Sequence, residues 1–265
     1  MARIEVKYGS PTVTDEGGMS RAKVAHHISE ISKLMEAGHK VVVTAGGAIA
    51  QGRAKHVERL SAGGRRVPNP KRETDLDKRS YASRGSGSAY MMWEEEADAY
   101  GIVTAQVPVT TREAKDKEEG RALQELLLHN MELDIVSVIN GNDATSPEGA
   151  SDIALSRDND KVGAHVAELL GLDHLCYLTD VDGLLNNQGI VVPTVTSRNF
   201  KEALGFIRKE GNGESGGMES KVTQAHRVTY YGVEAHIGNA QAELLPIIGG
   251  EIGTHFPVWT PHNPQ

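Results

Sequence analysis

Cysteine is almost absent: Cys176 is the single one among 265 residues. One thiol excludes an internal disulfide framework and any Cys-based metal site. Its apolar neighbours, Leu175 and Tyr177, mark it as a small buried core residue rather than a nucleophile, and a reducing, cytoplasmic setting is expected. Long apolar runs are also missing. Stretches such as Val41 to Val43 fall far short of a membrane span, and Met1-Ala2-Arg3-Ile4 lacks the apolar core of a signal peptide. Excess positive charge is absent, since 28 Lys and Arg face 36 Asp and Glu for a net −8, which argues against a nucleic-acid partner. Several signature strings are lacking as well. There is no Gly-Lys-Ser/Thr phosphate loop, no glycine fingerprint of a dinucleotide fold, no paired-histidine metallopeptidase string and no serine elbow. The eleven histidines show no ligand spacing, so they read as structural or surface residues, and no side-chain metal site is expected.

What is present is an alternation of apolar and amphipathic segments. Arg3 to Tyr8 reads as a strand. Ser20 precedes a helical stripe of Val24, Ile28, Ile31, Leu34 and Met35 that stops at Gly38. Strands are expected at His39 to Thr44, Ile102 to Val107 (ended by Pro108), Asp134 to Ile139, His174 to Thr179 and Val233 to Ile237. Helices are expected from Ala48, around Ala89 to Tyr100, and over Lys117 to Asn130, Asp160 to Leu170 and Met218 to Tyr231. Such repetition predicts an α/β domain with a mainly parallel sheet covered on both faces, whose ligands bind beyond the carboxyl ends of the strands. One segment departs from the acidic balance: between Arg53 and Arg79 nine Lys and Arg face four Asp and Glu. It reads as a mobile basic loop, either simply solvated or serving as a cationic lid over an anion.

Polar and glycine-rich segments follow these strands. Lys7-Tyr8-Gly9-Ser10 sets a cation and a flexible backbone where a phosphate oxygen could be met, although a surface lysine gives the same string. Gly46-Gly47-Ala48 presents N–H groups at a helix start, or is only a tight turn. Asp158-Asn159-Asp160 opens a helix, as capping acids or as a carboxylate set to order lysines or Mg²⁺. Thr179-Asp180-Val181-Asp182-Gly183 is a turn or a ribose or metal contact. In Gly216-Gly217-Met218-Glu219-Ser220-Lys221 a lysine occupies a first helical turn, where the helix dipole disfavours it unless an anion is present.

In this order the loops resemble the amino acid kinase family, in particular its glutamate 5-kinase branch. The match runs from Arg3-Ile4-Glu5-Val6-Lys7-Tyr8-Gly9-Ser10 through Gly47-Ala48-Ile49-Ala50, Ile139 to Asp143, Asp158 to Asp160, Leu178 to Leu184 and Gly216 to Lys221, to Gly250 to Phe256. The resemblance implies a three-layer αβα sandwich with an open, mainly parallel sheet, forming one domain over 1–265. About 1–150 would hold the acceptor and about 151–265 would hold ATP. It implies ATP- and Mg²⁺-dependent transfer of a phosphoryl group to the carboxylate of a small amino acid, glutamate or an analogue, as in amino-acid biosynthesis. Lys7, Asp160 and Lys221 would be catalytic. Gly9, Ser10, Gly47, Thr179, Asp180, Gly216, Gly217 and Met218 would line the nucleotide and its phosphates. Gly46, Asn140, Asp143, Asp158 and Asn159 would face the acceptor, and Mg²⁺ would be held through the ATP phosphates. The expected partners are ATP, a small anionic acceptor and further copies of the chain in a homo-oligomer.

Departures from the family pattern fall on the acceptor side. The family's Ser-Gly-Ala is Gly46-Gly47-Ala48 here, and its Asn-Glu-Asn-Asp is Asn140-Gly141-Asn142-Asp143. Arg157 stands where glycine is usual, and Ser83-Arg84-Gly85-Ser86 replaces an Ala-Val-Gly-Gln stretch. The RNA-binding-like domain that follows many glutamate 5-kinases is not expected after Phe256. A kinase of another small anion, such as a modified amino acid, a phosphonate or a phosphate ester, therefore remains an alternative, as does a non-catalytic nucleotide-binding regulator.

Overall fold

A computed structural model of the chain describes residues 1–65, 69, 72–110, 112–113, 116–145, 158–207 and 217–260. Strand β1 (Arg3–Tyr8) lies at the middle of a seven-stranded sheet. Strands β2 (Thr14–Asp15) and β3 (Gly18–Met19) form a small separate hairpin. The main sheet continues with β4 (Lys40–Ala45), β5 (Thr104–Val109), β6 (Val136–Gly141), β7 (His174–Thr179), β8 (Glu234–Asn239) and β9 (Thr254–Phe256). Its order is β5-β6-β4-β1-β7-β8-β9, parallel throughout except for β9, which pairs antiparallel with β8. The chain builds outward from β1 through β4 to β5, inserts β6 between those two, then crosses to β7 on the other side of β1. The carboxyl ends of β1 and β7 therefore border the point where strand order reverses, the position at which open α/β sheets bind ligands.

Period-two alternation on the buried strands sorts their side chains between two helical layers. Ile4, Val6 and Tyr8 of β1 join Val41, Val43, Cys176 and Leu178 in a core under α2 (Arg21–Glu36), α4 (Asp75–Asp98) and α9 (Leu244–Ile248). Val42, Leu175 and Tyr177 face the other way. There they meet α5 (Lys117–Glu132), α6 (Asn159–Leu170), α7 (Phe200–Gly205) and α8 (Met218–Thr229). Two short-range elements complete the first half: α1 (Ser10–Val13) directly after β1, and α3 (Ala48–Ala62) after β4. This is the expected three-layer αβα sandwich, with Cys176 fully buried. Among the described residues no helix is long and apolar enough to cross a membrane.

Three expectations change. The segment 53–79 is not one loop, because α3 continues to Ala62 and α4 starts at Asp75. A capping box starts α4: Asp77 N–H donates to Thr74 Oγ1 at 3.1 Å, and Thr74 N–H donates to Asp77 Oδ2 at 2.8 Å. Arg53 is tied to the carboxylate of Glu73, with Nε 2.8 Å from Oε1. Ser83 to Ser86 consequently lies inside α4, where Gly85 and Gly52 let α3 and α4 touch. A Cβ at either would fall 1.9 Å from a carbonyl oxygen of the facing helix. Finally, Pro108 sits within β5 instead of ending it. An edge strand tolerates proline because one side of it needs no ladder hydrogen bonds.

Candidate active site

On the face of β1 toward α6, Arg3 reaches the Leu170 carbonyl at the end of the helix, and Glu5 and Lys7 point at its middle. Gly163 of α6 sits above them, so that a Cβ there would lie 3.4 Å from both Lys7 Cγ and Glu5 Oε1. Lys7 Nζ pairs with Asp160 Oδ1, and Lys221 Nζ donates to Asp160 Oδ2 at 3.2 Å. All three are buried: Asp160 fully, Lys7 at 3% exposure and Lys221 at 6%. Two ammonium groups against one carboxylate leave an excess of one positive charge among the three. Burial is the largest influence on Lys7 and pulls its pKa down; Asp160 opposes that, and Lys221 adds to it. An anion arriving between the two lysines would relieve this conflict, and a buried lysine in the first turn of α8 makes sense for the same reason.

Asp160 is fixed from several sides. Asp158 caps α6, its Oδ1 accepting from Asp160 N–H at 3.0 Å, while its Oδ2 accepts from Ser220 Oγ at 2.8 Å. That second bond ties the start of α6 to the start of α8, the two helices that supply Asp160 and Lys221. Tyr177 OH donates to the Asp160 carbonyl at 2.8 Å from β7 below. Beneath Lys7 lies Glu5, fully buried. Desolvation raises its pKa well above the usual carboxylate value, against the opposing effects of Thr44 and Lys7. Burial thus favours the neutral form of Glu5, the form that would leave the charge of the lysine pair undiluted.

The loops that follow β1, β4 and β6 close around this point. Gly9 caps α1, and a Cβ on it would be 3.9 Å from Lys7 Nζ, so its backbone borders the ammonium. Ser10 is the first residue of α1. Gly46 lies directly against it: a Cβ at 46 would come 2.6 Å from Ser10 Oγ and 3.1 Å from its backbone nitrogen. Serine at 46, the usual residue in the resembling family, would press on the Gly9-Ser10 turn as well as add a hydroxyl. Gly47 adopts φ 102° at the start of α3, and a Cβ there would meet Met19 Sδ at 2.4 Å, so only glycine fits. Asn140 Nδ2 donates to the Ala45 carbonyl, and Asn159 Oδ1 accepts from Gly141 N–H at 3.4 Å. These two asparagines stitch the ends of β4 and β6 to the start of α6.

On the other side of β1, Thr179 ends β7 and its Oγ1 donates to Asp180 Oδ1 at 3.0 Å. Gly217 caps α8, whose first residue, Met218, packs against the hydrophobic core. Asp143 is half-buried just beyond β6. Gly216 and Arg157 lie outside the described residues.

Comparison with known proteins now bears on this arrangement. The model of the Amino acid kinase family matches residues 3–239. The chain belongs to this family. Among curated members, a glutamate 5-kinase of Picosynechococcus is 29% identical over 96% of this chain and 67% of its own length. The glutamate 5-kinase of Bordetella petrii is 30% identical over 97% of this chain and 68% of its own. The chain thus spans about two thirds of the length of these relatives. Solved amino acid kinase structures agree in fold. A carbamate kinase from Giardia lamblia bound to AMP-PNP superposes with TM-score 0.65 at 16% identity, covering 97% of this chain and 98% of that one. An N-acetylglutamate synthase from Neisseria gonorrhoeae gives 0.66 at 16% identity over 98% of this chain and 60% of its own.

Two residues near the centre of this amino acid kinase are not evident from sequence alone. Glu5 alternates with Ile4 and Val6 as a surface residue of a strand would, and only the layer above β1 shows it to be buried. His27 of α2 is the other. It is buried, its Nε2–H donates to the Thr12 carbonyl at 2.8 Å, and burial lowers its pKa to about 4. The carbonyl acceptor fixes the proton on Nε2. His27 thereby braces the turn that carries Gly9 and Ser10.

Proposed function

We propose that the protein is an ATP-dependent kinase that transfers the γ-phosphoryl group to the carboxylate of a small amino acid, glutamate or an analogue. The buried Lys7–Asp160–Lys221 arrangement at the sheet's switch point carries this reading. Phosphoryl transfer asks for positioning and for neutralisation of charge on the equatorial oxygens, and two lysines held in register by one carboxylate supply both. The acceptor oxygen attacks the γ-phosphorus, the bond from that phosphorus to the β–γ bridging oxygen breaks, and ADP leaves. A carboxylate acceptor is already ionised, so no general base is required.

Backbone N–H groups around Gly9, Ser10 and Gly47 are the candidate phosphate donors, with Thr179, Asp180, Gly216, Gly217 and Met218 on the nucleotide side. Asn140, Asp143, Asp158, Asn159 and the Gly46 turn are the candidate acceptor contacts. Asp160 is engaged by two ammonium groups, and Asp158 by Ser220 and its own helix. A Mg²⁺ ion is accordingly best accommodated by the phosphates rather than by these carboxylates. It would screen charge there.

A second reading is favoured by Gly46. A side chain there would crowd Ser10, glycine offers no hydroxyl to an acceptor, and Gly141 removes a carboxylate from the acceptor loop. These changes suit a small anion other than glutamate. A silent nucleotide-binding regulator is disfavoured, because nucleotide binding alone needs no buried pair of lysines on an aspartate. The test is ADP release with MgATP across a panel of carboxylates, phosphonates and phosphate esters. Turnover with glutamate or an analogue is the expected result, turnover with a non-carboxylate moves the assignment to the second reading, and none with any acceptor refutes both.

A further inference from the structure

At the opposite end of the strands from the lysines, three histidines and a glutamate converge. His174 is the first residue of β7, Glu234 the first of β8, His236 lies two further along β8, and His255 is central in β9. Strand register brings them together: His174 is level with Glu234, and His236 with His255. Along β7, Thr179 is five residues from His174, which at about 3.3 Å per residue separates the two ends by about 17 Å. This cluster therefore lies outside the site described above.

His174, Glu234 and His236 each offer a ligand atom, all within 4.8 Å of one another. His174 Nδ1 is 3.2 Å from His236 Nε2 and 3.7 Å from Glu234 Oε2; His255 Nε2 is 3.5 Å from the same Oε2. Four-coordinate zinc holds N and O ligands at about 2.0–2.1 Å, so the edge of its tetrahedron is about 3.3 Å. The three contacts fall close to that edge. Hydrogen bonding accounts for part of this packing: His174 Nδ1 and His236 Nε2 are bonded, while the buried Nε2 of His255 has no hydrogen-bond partner. His236 is 1% exposed and presents its Nε2 to the cluster. The rings of His236 and His255 stack at 5.0 Å. His174 and His255 both approach the Glu234 carboxylate, and His174 also faces His236, so ring nitrogens and carboxylate are turned toward one another as they would be around a shared ligand.

We propose that His174, Glu234 and His236, with His255 beside them, form a binding site for a divalent transition-metal ion of the zinc class, which clamps the starts of β7 and β8 to the β9 edge. Three imidazoles and one carboxylate are a donor set for zinc or its neighbours and a poor one for magnesium or calcium, which take oxygen ligands. The ligands come from three strands and span 174 to 255, which is why no sequence motif announces them. Because β9 is short, antiparallel and at the sheet edge, a metal joining it to β7 and β8 would stabilise the edge selectively in the folded chain.

The experiment uses the full chain without an affinity tag, stripped with EDTA. Zn²⁺ is titrated in competition with a chromophoric chelator, Co²⁺ binding is followed by its visible absorption, and thermal unfolding is recorded with and without Zn²⁺. The expected result is one Zn²⁺ per chain, the strong visible bands of four-coordinate cobalt, and a Tm rise of roughly 5 °C at 100-fold excess over Kd. His174→Gln and Glu234→Gln, both at partly exposed positions, should each weaken Zn²⁺ binding by on the order of 10-fold or more. His236→Gln should abolish it, and if that variant does not fold, the other two still decide. Absence of stoichiometric Zn²⁺ binding, or unchanged affinity in the combined His174→Gln, Glu234→Gln variant, overturns the assignment.

Discussion

Burying three charged groups at one point is unfavourable unless each has a fixed partner, and the surroundings of Asp160 meet that condition. Two ammonium groups, a cap from Asp158 and a hydrogen bond from Tyr177 hold one aspartate in place. Removing that carboxylate would strand two buried cations, the kind of loss that costs about 3–5 kcal/mol. Removing Lys221 leaves the Lys7–Asp160 pair whole, so function and folding are separable at that residue. Glu5 makes a different, pH-dependent contribution. Its pKa is raised in the folded chain, so its stabilising contribution is complete below the unfolded value of 4.5 and is lost as pH rises. Glu5→Gln keeps the shape and removes the ionisation. Its Tm relative to the parent should therefore grow from pH 5 to pH 8, and a difference that stays constant or shrinks over that range would mean that Glu5 is already ionised when folded.

At the scale of elements, the Gly9-Ser10 turn depends on what lies behind it. α1 has only four residues and cannot hold itself, so the hydrogen bond from His27 to the Thr12 carbonyl couples it to the long α2. The folded pKa of His27 is lowered from 6.5 to about 4. The stability it supports is present above pH 6.5 and is lost as pH falls toward 4, because the unfolded chain takes up the proton first. From pH 7 to pH 5 this one group should cost about 2 kcal/mol of unfolding free energy in urea melts. His27→Gln should flatten that portion of the profile, and an equally steep profile in the variant would contradict the assignment. The strands that end in Gly or Asp turns, β1 and β7, are legible in the sequence at their full extent. The start of α4 is not: Gly85 and Gly87 suggest a loop, and tight packing on α3 overrides their propensity. β9 is too short to carry a pattern.

For the whole molecule, the strand order does what no local pattern does. It brings Lys7 of β1, Asp160 of α6 and Lys221 of α8 to one point. Each lies at the boundary of a predicted strand or helix and stands out as polar there, so the three residues that meet at this point were readable from sequence. Glu5, His27 and the histidine cluster were not, because burial and cross-strand register give them their roles. The acceptor is the least legible part. The contacts proposed for it sit on turns such as Gly46, where packing against Ser10 also constrains the residue.

Hydroxylamine trapping compares the parent and Lys221→Ala most decisively. With MgATP and glutamate, an acyl phosphate would be captured as the hydroxamate. The parent should form it in step with ADP, while Lys221→Ala, still folded by its urea profile, should be slower by about 10²–10³-fold. An equal rate in the two proteins would contradict the role given to the buried lysine pair.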